Sequence, residues 1–136
     1  MRAPLPYPYG RTAPPSASRG ALPSEDGQSP QVKRVEPHTI VVLSLHSPKE
    51  KLWGELLAIH PAGVTLRGID LNSFDDFILQ VLHPEGDRVG LPTLFFPMAR
   101  VERIALDEPS GSIPSLAGMF ERKVGKSLAG YLALFA

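Results

Sequence analysis

The chain has 136 residues, no cysteine, and basic and acidic side chains in balance at 14 of each. Without cysteine there is no disulfide, thiolate nucleophile or zinc–thiolate site. Without a basic excess the chain lacks the phosphate-neutralising charge of a dedicated nucleic-acid binder, and from Val32 onward 11 Lys plus Arg face 12 Asp plus Glu.

Residues 1–31 hold seven of the 15 prolines, with Ser, Gly and Ala around them. Such a segment cannot bury enough apolar surface to offset its ordering entropy, so 1–35 is expected to be a disordered Pro-rich arm. Pro4, Pro6 and Pro8 alternate with Leu5, Tyr7 and Tyr9, a polyproline II pattern. The arm reads as a solvated tail or as a docking peptide for an aromatic groove. It contains no apolar core of signal-peptide length, and no window approaches the roughly 20 apolar residues of a membrane span. The expected compartment is the cytosol, with no membrane partner.

Residues 36–107 are expected to form a small β-barrel. Thr39–His46 is rich in β-branched residues and sets Val41, Leu43 and Leu45 on one face. Ser47-Pro48-Lys49-Glu50 reads as a turn. Leu52–Ile59 is a second strand, in which Gly54 marks a sharp bend or a close backbone approach. His60-Pro61-Ala62-Gly63 is a tight connection, with Gly63 suited to positive φ. Val64–Leu71 gives a third strand. Asn72–Asp76 is a polar break, and Phe77–Leu82 reads as another strand. Pro84–Asp87 turns the chain, Thr93–Phe96 is a strand stopped by Pro97, and Val101–Leu106 is the last. Short strands at this spacing argue for a barrel or a sandwich; a stretch of about 70 residues favours a small closed barrel of five or six strands, and closure also removes exposed edges.

After Asp107–Ser112 the period changes. Leu116, Met119, Phe120, Val124, Leu128, Tyr131, Leu132 and Phe135 recur at spacings of three and four. That predicts an amphipathic helix within 113–136, with Ser115 as N-cap and with Gly125 and Gly130 as weak points where it breaks in two. Its stripe packs on its own barrel or meets a neighbouring subunit.

The stretch Val41–Leu106 resembles the Sm-like (Hfq and Sm) family of small SH3-like β-barrels. The resemblance rests on Val41-x-Leu43, Gly54-x-Leu56, Phe95-Phe96 and Val101-x-x-Ile104, and it covers about half the chain. It implies a mainly β fold and an RNA-binding ring. The family's RNA-contacting Asp, Asn and Arg-Gly positions fall near His60, Gly63, Pro97 and Met98, none of which supplies a guanidinium. The runs Ser47–Gly54 and Phe96–Arg103 are also similar to an uncharacterised bacterial group of SH3-like barrels.

Candidate chemistry is sparse. His38, His46, His60 and His83 lack metal-site spacing, and His60 and His83 each precede proline. Asp75 and Asp76 adjoin each other without a base or calcium-loop pattern around them. No catalytic motif is present, so no enzyme and no cofactor are expected. Lys49, Lys51, Arg67, Arg100 and Arg103 are the candidate ligand or nucleic-acid surface. With Trp53, Phe74 and Phe77 they make a stacking platform or, given Glu50, Glu55 and Glu102 among them, an ordinary surface. Trp53, Leu116, Met119, Phe120, Leu128, Leu132 and Phe135 are the candidate interface, with core filling as the other reading of Trp53. The expected function is a non-catalytic binding or assembly module with a protein partner or itself. RNA binding through non-standard residues is the alternative.

Overall fold

The computed structural model describes residues 33–86 and 89–135. The arm expected over 1–35 therefore lies outside the described residues except for its last three. Five strands form: β1 (Ile40–Leu45), β2 (Glu50–His60), β3 (Gly63–Asp70), β4 (Thr93–Pro97) and β5 (Val101–Leu106). They make one antiparallel sheet in the order β4-β3-β2-β1-β5.

The closed barrel expected from the strand spacing does not form. β4 pairs with β3 and β5 pairs with β1, and no ladder joins β4 to β5. The reason lies in what seals the core. Val41, Leu43, Leu45, Leu52, Leu56, Val64 and Leu66 are buried on one face of the sheet. Leu94 and Phe96 of β4 and Val101, Ile104 and Leu106 of β5 pack on the same cluster, as does Met98 of the 3-10 turn Met98–Arg100 that links these strands. The sheet thus curls over its own inner face and is closed there by side chains, not by hydrogen bonds.

Curling demands close backbone contact, and glycine supplies it. Gly54 of β2 pairs with Gly68 of β3. A Cβ on Gly54 would lie 2.2 Å from the Arg67 carbonyl oxygen and 2.4 Å from the Gly68 Cα. The expectation of a bend or close approach at Gly54 is met by the second of these. Gly63 also serves by proximity, since a Cβ there would meet the Phe96 carbonyl at 2.3 Å. The positive φ expected at Gly63 is not found.

The second face of the sheet carries the helices. Here Ile40, Val42, Trp53 and Ile69 meet α1 (Phe74–Leu82), α2 (Leu116–Val124) and α3 (Leu128–Leu132). Helix α1 corrects the strand expected at Phe77–Leu82. Phe74, Phe77, Ile78 and Val81 fall at helical spacing and turn inward, while Asp75, Asp76, Leu79 and Gln80 are exposed. Asp75 and Asp76 occupy the first turn, where carboxylates complement the helix dipole. The polar break was a helix start.

The C-terminal helix is in two pieces, Gly125 being one of the two weak points named from the sequence. It is broken at Gly125, whose φ of 83° ends α2 in the left-handed region. Ser115 caps α2 as expected, accepting from the Gly118 N–H, and Ser127 caps α3 in the same way through Gly130. Gly130 sits inside α3 and breaks nothing. Residues 34–136 form one compact unit, so sheet and helices share a body.

Candidate functional site

The five candidate cations separate into two groups once the strand register is known. Arg67 stands directly across from Glu55, and its guanidinium lies 2.6 Å from that carboxylate. Both side chains are largely buried, at 16% and 13% exposure, and Arg67 Nε is enclosed without a hydrogen-bond partner among the described residues. Arg100 lies 2.9 Å from Glu50 and donates to the Pro48 and His46 carbonyls, so it clamps the turn between β1 and β2. These two arginines hold the fold.

Lys49, Lys51 and Arg103 are brought together instead. They line a cleft of about 370 Å³ with Ser44, Leu45, Glu50, Asp70, Leu71, Asn72 and Glu102. Ser44 of β1 pairs with Lys51 of β2 on one side and with Arg103 of β5 on the other. The three side chains therefore form a cross-strand row on the helical face, beyond the part that the helices cover. Sequence reasoning found the cations but not Ser44, because nothing short of the register aligns three strands.

The candidate interface residues pack within the chain. Trp53 and Phe120 are fully buried, and Leu128 and Leu132 nearly so. Leu116, Met119 and Phe135 are partly buried against the same cluster. The rings interlock: Phe74 meets Trp53 edge-on at 5.0 Å, and Phe120 stacks on Phe77 at 5.8 Å. Asp107, at the end of β5, ties this cluster to the sheet. Its carboxylate accepts from Trp53 Nε1 at 3.1 Å and from the Leu116 and Ala117 amides at 2.8 Å each. In the sequence it only opens the stretch Asp107–Ser112, after which the apolar period changes.

Glu55 has a perturbed acidity. Burial works against its ionisation, but hydrogen bonds from His38 and Arg67, with their charge, prevail and lower its pKa from the ordinary 4.5. A lowered pKa means stability that is present above the ordinary value and lost as pH falls through the lowered one. Glu55→Gln is expected to cost about 2–3 kcal/mol at pH 7, because Arg67 is left buried without its counter-charge. The difference from wild type should shrink below pH 4.5. Urea titrations at neutral and acid pH check this, and a cost that does not change with pH would refute it.

No group of three or more His, Cys, Asp or Glu is placed to hold a metal among the described residues. Asp75 and Asp76 are exposed on α1 and line no common cleft with a base. No helix among those residues is long and apolar enough to cross a membrane. No protein-family model, curated protein or solved structure matches the chain.

Proposed function

We propose that the chain is a non-catalytic assembly module, acting through protein–protein contacts and foremost through association with its own copies. The observation that carries this is the open sheet. Among the described residues, β4 and β5 each have one edge outside any ladder. An unpaired edge presents backbone donors and acceptors to an incoming strand. β4 is Thr-Leu-Phe-Phe-Pro, without a charged residue to blunt it. Its Phe95 is 54% exposed, with the ring lying over Gly63. Joining the β4 edge of one copy to the β5 edge of the next is a head-to-tail contact, which closes into a ring when the rotation permits.

Light scattering on the full chain tests this. The expected result is a mass above that of one chain, rising with concentration. Phe95→Lys places a charge on the edge strand and is expected to weaken association by about tenfold or more. A monomer at every concentration, or no change with Phe95→Lys, rejects the proposal. Removing 113–136 is not a useful test, since Phe120, Leu128 and Leu132 belong to the core.

Of the five cations in the RNA reading, Arg67 and Arg100 are already engaged by carboxylates, which favours the assembly reading.

A further inference from the structure

The cleft beside Ser44 gathers cations from the β1–β2 turn, β2 and β5. Arg67, on the same sheet, is held by Glu55, and Arg100 by Glu50. Within the cleft, Lys49, Lys51 and Arg103 take part in no ion pair among the described residues. Of the three carboxylates in the lining, Glu50 is matched by Arg100, and Asp70 Oδ1 accepts from the Asn72 amide. Glu102 is the third. Counting Arg100 beside Glu50, four cations face three carboxylates around the cleft, an excess of one positive charge on a chain whose total charge is zero.

We propose that this cleft binds the phosphate group of a small phosphomonoester. Lys51 and Arg103 flank Ser44 across two strand spacings, about 10 Å, so both long side chains reach an anion held above the serine. Lys49 approaches from the turn. Lysine and arginine donors outnumber what one carboxylate oxygen pair accepts, whereas phosphate carries three acceptor oxygens and a charge of about −1.5 to −2. Small size follows from the volume of about 370 Å³. The lining contains Leu45 and Leu71 but no aromatic ring, so it lacks the stacking platform that single-stranded nucleic acid uses. The row lies on the face of the sheet, so the site does not rest on edge-to-edge assembly.

Calorimetric titration of the full chain with phenyl phosphate tests the proposal, with benzoate and a short oligoribonucleotide as the other arms. Saturable binding of phenyl phosphate at one site per chain is expected, with benzoate weaker. The double variant Lys51→Gln/Arg103→Gln should weaken it by about tenfold, and Arg122→Gln on α2 should leave it unchanged. Thermal melting checks that the double variant is folded. If it is not, Lys49→Gln alone, at the turn, should still give a loss of about threefold. Absence of saturable binding overturns the proposal. So does an equal loss in Arg122→Gln, benzoate binding as tightly, or an oligoribonucleotide that displaces phenyl phosphate at matched phosphate concentration.

Discussion

Gly54→Ala is expected to abolish the native fold or to cost more than about 4 kcal/mol, a large share of the roughly 5–15 kcal/mol that holds a domain together. A methyl group at this position meets the Arg67 carbonyl oxygen at 2.2 Å and the Gly68 Cα at 2.4 Å. Both are backbone atoms of the paired strand, so no side-chain rotation relieves the contact. β2 and β3 must part, and that opens the curl that buries Leu43, Leu56 and Leu66. Gly86→Ala is the matched control. Gly86 has a φ of 103° but nothing within 4 Å of its added methyl, so its cost is confined to backbone strain of about 1–2 kcal/mol. Urea denaturation followed by circular dichroism separates the two. A cooperative Gly54→Ala transition within about 1 kcal/mol of wild type would show that the curl is not set by this pair.

That position was legible in the sequence because a glycine inside an apolar strand has few uses. The strands were legible for a similar reason. Val41, Leu43 and Leu45 alternate on β1, and all three are buried on the inner face. Helix α1 was missed because Phe77-Ile78-Leu79-Gln80-Val81-Leu82, taken alone, is an apolar run with no clear period. Only when Phe74 joins Phe77, Ile78 and Val81 does the three-four spacing emerge, and Phe74 stood inside what looked like a polar break. Barrel closure was overcalled, since strand count constrains the sheet but not whether its edges meet. The cleft shows a different limit. Composition reveals five cations near the sheet, but only cross-strand register decides that Arg67 faces Glu55 while Lys51 and Arg103 face Ser44. Asp107 illustrates the same point, since its three hydrogen bonds come from β2 and α2, far apart along the chain.

Trp53→Ala is expected to cost about 3–5 kcal/mol, and the distribution of that loss matters as much as its size. The indole is fully buried between the sheet and α1, edge-on to Phe74 and 6.4 Å from Phe77. Truncation leaves a cavity among rings that cannot collapse without moving α1. It also removes the N–H that Asp107 accepts. Trp53→Phe separates these effects. It keeps most of the apolar filling and loses the donor, but Asp107 retains the Leu116 and Ala117 amides, so a cost of about 1–2 kcal/mol is expected. Hydrogen exchange at the α2 amides distinguishes the contributions. Protection should fall sharply in Trp53→Ala, where the layer beneath α2 is hollowed, and only slightly in Trp53→Phe. If Trp53→Ala stays within about 1 kcal/mol of wild type with α2 protection intact, the indole does not anchor the helices to the sheet. The expected outcome makes Trp53 the joint between the two layers. It would then explain why the same residue reads, from sequence alone, both as a core filler and as an interface anchor: the interface it anchors lies inside the chain.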